Sequence, residues 1–484
     1  MKEIIIDPIT RLEGHGKIAI FLNDAGEVEN AYLQIPELRG FEKFCIGRKA
    51  EDLPIITPRI CGVCPVAHHM ASAKALDAAF NVEPPSAAKK LRELMYCGYY
   101  IYDHTLHFYY LGGPDFVVGP DAPPEKRNIL GVIEKAGLEI AKEVIKHRAY
   151  GQRITELIGG KATHPVCGLP GGVSKPLNEE NRQEIEKMVK SSIEFAKLSL
   201  KLLHNIVLEN SKYVELIKSD VYALRTYYMG LVDEHNKVNF YDGKIRVVDP
   251  NGKEFVKFEA KNYLEHIVEH VEPWTYVKLP YLKKVGWKGF VDGPESGIYR
   301  VGPLGRLNAA DGMATPLAQA EYERMYATLG GKPVHNTLAY HWARLIELLY
   351  AAERALELVT DPEITSKNVR NKPDKPGEGV GIVEAARGTL IHHYQLDEKA
   401  LAKKVNLIVA TTHNVPGICM SIRDAAKGLI KRGKVTDGIL NMIEMAFRAY
   451  DPCFACATHF ALGQMPLEVE IYGSDKKLVR TIKR

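Results

Sequence analysis

Residues 58–74 read PRICGVCPVAHHMASAK, a cysteine pair set directly before a run with helical character. From Val66 the sequence VAHHMASAKALDAAF repeats apolar side chains at helical intervals. Pro65 suits the first helical position, because its fixed φ is already helical and its missing N–H is not needed there. Cys61 and Cys64 thus fall at the positive end of a helix dipole, which lowers thiol pKa values and favours thiolates. His68 lies one turn beyond Cys64 on the same face, within reach of a metal-bound sulfur. A C-x-x-C pair can hold zinc, cycle as a disulfide or ligate a redox metal. The disulfide-cycling type belongs at a strand-to-helix junction of a βαβ unit, and neither pair of this chain reads that way.

The second pair, Cys453-Phe454-Ala455-Cys456, stands near the other end in RAYDPCFACATH, with His459 just behind it as a further potential ligand. Four thiolates converging from two such pairs make a soft tetrahedral or square-planar site. Spacing alone leaves zinc and a redox metal both open. Cys45, Cys97, Cys167 and Cys419 are scattered, with no run of the kind that binds an iron–sulfur cluster.

Around these motifs the pattern alternates between long helices and short sheets. KIAIFLN (17–23) and EVENAYLQI (27–35) read as strands joined by a turn at Asp24-Ala25-Gly26. Helical periodicity covers 87–111, 181–210, 316–329 and 341–360. Residues 236–258 return to strands around Pro250-Asn251-Gly252, and 366–379 read as a surface loop. GTLIHHYQL (388–396) and KKVNLIVATT (403–412) form a further hairpin, and a last helix over 436–450 stops at Asp451-Pro452. GEGVG at 377–381 is no dinucleotide loop: it lacks the G-x-G-x-x-G spacing and precedes a strand. The fold class is mainly α with β excursions (α+β), a large central helical bundle with an N-terminal antiparallel sheet and β-hairpins.

With 484 residues, 46% hydrophobic and 26% charged, and a net charge of +4, the chain has an ordinary globular composition and no case for nucleic acid. No apolar run reaches membrane-spanning length, and MKEIIIDPIT lacks a signal-peptide core, so the expected location is the cytoplasm. In a large chain without such a signal, eight cysteines point to metal binding or catalysis rather than to disulfides.

DPITRLEGHGKI, RGFEKF, PRICGVCPVAHHMASAKA, DHTLHFYYL, EAARGTL and RAYDPCFACATH, in this order from residue 7 onward, resemble the large subunit of nickel–iron hydrogenases. The resemblance implies that fold, with residues 1–459 as one catalytic domain. It implies that all four cysteines bind nickel, Cys61 and Cys453 terminally, while Cys64 and Cys456 also bridge to an iron carrying cyanide and carbonyl ligands. Splitting dihydrogen, a very weak acid, takes a hydride acceptor and a base together. The resemblance gives the base role to Cys453 or Arg387 and the outward proton relay to Glu13, although an isolated Glu before a strand is ordinarily a surface carboxylate.

Arg387 and Thr411 flank the predicted hairpin at one end, since its strands run antiparallel. By resemblance that end is the lid over the iron: Thr411 hydrogen-bonds a cyanide, and Arg387 stands above the open site with Asp103 and Asp451 around it. Ala386 stands where many relatives have proline. Glu42 and His459 match ligands of a separate magnesium-type ion (magnesium or iron), and an oxygen-plus-imidazole set suits a hard or borderline cation.

Relatives mature by cleavage after the histidine matching His459, which makes 460–484 an extension of the kind a maturation endopeptidase removes. Alternation in LEVEIY and the turn at GSDKK predict a small hairpin there. Electrons must leave through a small iron–sulfur subunit, then through further flavin or iron–sulfur subunits, with GGKATHPVCGLPGG (159–172) a candidate contact. Among acceptors — NAD(P), a bifurcating flavin with ferredoxin, or a heterodisulfide reductase — RGFEKF, PEKRNILGV and GQMPLEVEIYG lean toward the NAD-linked type. The rival readings are a non-catalytic relative within a quinone-reductase complex, which lacks the full cysteine set, and a zinc-stabilised scaffold.

Overall fold

The computed structural model describes residues 2–458, 468–472 and 478–483. Its centre is a helical bundle. The helix Ser86–Leu106 packs against Leu138–Gly159 and Tyr340–Thr360, and the last of these also packs against Glu179–Leu203. Leu94, Ile101, Leu345 and Leu348 are fully buried between them. The apolar period read from the sequence is the face these helices share.

The helix Pro65–Ala79 begins where expected, with Cys64 as its N-cap and Pro65 in its first turn. It is buried almost along its whole length, because the strand Glu378–Ala385 lies directly on it. This contact explains GEGVG. A Cβ at Gly379 would stand 2.2 Å from the Ala75 carbonyl oxygen, and one at Gly381 would stand 2.1 Å from that of Ala71. Two glycines on one face of the strand and an alanine-rich helix let the two backbones touch.

That strand pairs antiparallel with Gly388–Leu396, which pairs in turn with Ala402–Ile408. The expected hairpin is therefore the second half of a three-stranded sheet. Its last strand ends at Ile408, short of the predicted 412, and a helix runs over Ala410–Leu429. Val415, Ile418, Ile422 and Ala426 bury a helical stripe there, and the β-branched Thr411-Thr412 and interior Pro416 hide it from a propensity reading. Arg387 and Thr411 still emerge at the same end of the sheet.

At the N-terminus the two predicted strands, Lys17–Leu22 and Val28–Gln34, are joined by a third, Lys2–Ile6, on the outer side of Lys17–Leu22. Tyr227–Val232, Lys244–Val248 and Glu254–Phe258 form a sheet that Tyr299–Arg300 extends in parallel. The helix Asp437–Arg448 is capped by the Thr436 side chain and ends just before Asp451, which sits at φ 58° ahead of Pro452. Glu468–Tyr472 and Leu478–Lys483 pair antiparallel as the hairpin read from the tail. Among the described residues no helix is long and apolar enough to cross a membrane.

Candidate metal centre

Cys61 lies 392 residues from Cys453 in sequence, yet their sulfurs are 3.5 Å apart, and those of Cys64 and Cys456 are 3.4 Å apart. The four ligand atoms all fall within 4.8 Å of one another, and all four residues are buried. Local backbone chemistry prepares the first pair. The N–H groups of Val63 and Cys64, at the head of the helix, point to Cys61 Sγ at 3.2 and 3.4 Å.

The second pair is held by the N-terminal segment. Phe454 N–H donates to the Glu13 carbonyl at 2.8 Å, so residues 13 and 453 run side by side. Gly14 permits that approach: its φ is +89°, and a Cβ there would stand 2.7 Å from Ala455 N.

Four sulfurs this close cannot all ionise unaided. Hydrogen bonds from the Cys453, Cys456 and Cys64 thiols hold Cys61 well below its usual value, while burial pushes Cys453 and Cys456 well above theirs. A soft cation removes the conflict, since metal binding displaces the thiol protons. The donor set thus fits a thiolate-bound metal.

Arg387 is buried beside the cluster, 3% exposed. Its guanidinium donates to Asp103 Oδ2 at 3.0 Å from one nitrogen and pairs with Asp451 at 3.0 Å from the other. Burial pushes the Asp451 carboxyl up to about 7, against the pull of Arg387 and then Arg344. Thr411, in the first turn of its helix rather than at a strand end, accepts from the Cys453 N–H at 3.0 Å. His68 turns its Nε2 to Cys456 Sγ at 3.8 Å, so the sulfur it serves comes from the distant pair.

Residues 39–123 and 142–459 match the family described as nickel-dependent hydrogenase, and residues 3–38 match a segment described as HoxL-like. The chain belongs to the nickel-dependent hydrogenase large-subunit family. It is 50% identical, over the whole of both chains, to an F420-non-reducing hydrogenase iron-sulfur subunit of Archaeoglobus profundus. It is 39% identical, over 99% of each, to the NAD-reducing hydrogenase HoxS subunit beta of Cupriavidus necator. A crystal structure of an NAD+-reducing NiFe-hydrogenase in the H2-reduced state superposes with a TM-score of 0.89 at 38% identity, covering 95% of this chain and all of the other.

In this hydrogenase subunit Glu13 is half-buried, and its Oε2 accepts from Cys453 Sγ at 2.8 Å and from Ala455 N–H at 3.2 Å. Burial, then the negative charge of Cys61, raise its carboxyl above the ordinary range. Glu42, on the short helix Phe41–Cys45, is buried and accepts from Leu407 N–H at 2.7 Å, with its pKa raised by burial. His459, its expected co-ligand, lies outside the described residues.

Several neighbours escaped the sequence reading. Arg344, fully buried, donates to Ala449 O at 3.0 Å beside Asp451. Arg306 bridges Glu347 and Glu384 in the interior. The available signal was a charge on an apolar helix face, since Arg344 and Glu347 interrupt HWARLIELLYAAER where the period demands core residues.

Proposed function

We propose that Cys61 and Cys453 are terminal nickel ligands, and that Cys64 and Cys456 also hold an iron with small diatomic ligands. The observation that carries this reading is a small enclosed cavity beside the cluster. It is lined by Cys64 and Cys456, the second cysteine of each pair, but not by Cys61 or Cys453. Its remaining wall is mixed: Leu390 and Val409 are apolar, while Arg387 and Thr411 are polar. Such a wall suits small ligands of which some accept hydrogen bonds. Thr411, whose oxygen already accepts from Cys453 N–H, keeps its hydroxyl hydrogen to donate there.

When bound, the bimetallic centre supplies the acceptor for the electron pair of dihydrogen. The chain supplies the base. Cys453 Sγ and Glu13 Oε2 stand at hydrogen-bond distance, so a proton on that sulfur passes to the carboxylate and outward from a half-buried position. Arg387, fixed by two carboxylates, presents a permanent charge to the cavity without needing to move. Elemental analysis and infrared spectroscopy of the purified complex test the assignment. We expect nickel and iron together, with cyanide and carbonyl stretching bands; zinc alone would sink it.

The electrons leave through an iron–sulfur partner, and Gly62, exposed between the two N-terminal cysteines, is a candidate point of contact with it. The exposed Arg59 beside it reaches the half-buried His164 of the 159–172 segment at 3.2 Å. The higher identity to the F420-non-reducing relative than to the NAD-reducing one weighs against the NAD-linked acceptor that the motifs favoured. Assay of the intact complex with NAD+, NADP+ and ferredoxin decides this point. We also read Glu42 with His459 as a magnesium-type site, 460–484 as an extension removed on maturation, and the cytoplasm as the location. Mass spectrometry of active enzyme checks the extension: an intact mass ending at residue 484 contradicts it.

A further inference from the structure

Arg387 is carried on a two-residue turn, Ala386–Arg387, in which Ala385 pairs with Gly388. Side chains bind nearly all of its polar backbone. Arg306 donates to Ala385 O at 2.8 Å and to Ala386 O at 3.3 Å, and Asn414 donates to Arg387 O at 3.3 Å. The hydroxyls of Tyr96 and Tyr100 donate to Glu384 O at 2.7 and 2.8 Å. In the other direction, Ala386 N–H donates to the Tyr99 hydroxyl oxygen at 3.0 Å. Ala386 and Tyr99 are both 0% exposed, so this N–H has no water to turn to. Tyr99 precedes Asp103 by four residues on the helix Ser86–Leu106, and the two share a face. One rigid helix therefore grips the arginine twice, at the backbone through a phenol and at the guanidinium through a carboxylate.

We propose that Tyr99 is a positioning residue for Arg387, and that Tyr99 and Ala386 are a matched pair. The alanine supplies the donor that the phenol binds, and the hydroxyl occupies the space a proline ring would need. Proline has no N–H, and its Cδ projects where the hydrogen would be. With the Tyr99 oxygen 3.0 Å from the nitrogen, that carbon would meet the hydroxyl far inside van der Waals contact. Phenylalanine at 99 removes the obstruction but leaves the Ala386 N–H unpaired. Each residue is thus wrong with the other's replacement, and the two replacements suit one another: the proline ring fixes the turn that the phenol no longer holds.

This inference rests on the reading of Arg387 given above, and the test separates the two. Tyr99→Phe, Ala386→Pro, the double variant and Arg387→Lys are prepared in the intact complex, with kcat, the KM for hydrogen, and nickel and iron content measured. Tyr99→Phe is expected to lower kcat about tenfold with KM and metal content unchanged, as for a displaced reacting group. Ala386→Pro alone loses at least as much, and the double variant returns to within about threefold of wild type, the non-additivity expected of two residues that meet directly. If Ala386→Pro fails to load metal, its rescue by Tyr99→Phe is read in the same way. Wild-type kcat in Tyr99→Phe, or additive losses in the double variant, overturns the proposal. Full activity in Arg387→Lys instead overturns the reading of Arg387 itself.

Discussion

The sulfur cluster is flanked by two ionisable side chains that the fold treats in opposite ways. Arg387 is almost completely buried, paired with two carboxylates, and carried on a turn whose backbone is tied down by side chains. Glu13 is half-buried, its carboxylate partners are a thiol and an amide, and among the described residues it enters no ion pair. Its pKa is raised by burial, whereas the two carboxylates beside Arg387 drive that group well above its already high value. One side is built to hold the guanidinium charge still. The other is built to let a proton come and go, which needs a pKa near the working pH and a route to water.

The largest effect should follow from removing the mobile side. Glu13→Gln keeps the shape and the acceptor for Ala455 N–H but cannot relay a proton. We expect nickel and iron content to stay intact while hydrogen–deuterium exchange with solvent slows by roughly 10²- to 10⁴-fold, the range of general acid–base contributions. Exchange at the wild-type rate would show that protons leave by another path and would end the contrast.

The fixed side should respond next. Arg387→Lys preserves the charge but not the planar fork that Asp103 and Asp451 hold from two directions. The expected result is normal metal content with hydrogen uptake lowered by about 10²- to 10³-fold, comparable to losing one preorganised donor. Near-normal uptake would reduce the arginine to a structural ion pair.

These two sides were unequally legible in the sequence. Cysteine spacing, Pro65 and the antiparallel strands after Arg387 are local signals, and each landed where the chemistry predicts. The carboxylates around Arg387 came from resemblance rather than from any pattern in the chain. What escaped notice was tertiary. Tyr99 reads as one more aromatic in MYCGYYIYDHT, and nothing near it in sequence says that its hydroxyl meets a turn 287 residues away. The helix at Ala410 was missed because Thr-Thr and an interior proline argue locally against it, while burial of its apolar stripe argues more strongly for it. GEGVG, read as preceding a strand, lies mostly within one for the same reason, since its glycines answer to a helix backbone lying across them.

The smallest expected effect separates the two sides by titration in the chain before metal loading. Burial and the neighbouring Cys61 raise the Glu13 pKa in the folded state, so the fold binds this proton more tightly than the unfolded chain does. The resulting stabilisation is fully present below the ordinary glutamate value and is lost as pH rises through the folded-state value. Glutamine at this position has no proton to lose. The thermal midpoint of wild type minus that of Glu13→Gln should therefore fall across that window and level off on either side, a change small beside the catalytic losses. Arg387 stays charged throughout the same range, because its two carboxylates move its pKa further upward. A difference that stays flat with pH would mean that Glu13 is no easier to protonate in the fold than outside it, and the proton-carrying side would lose its physical basis.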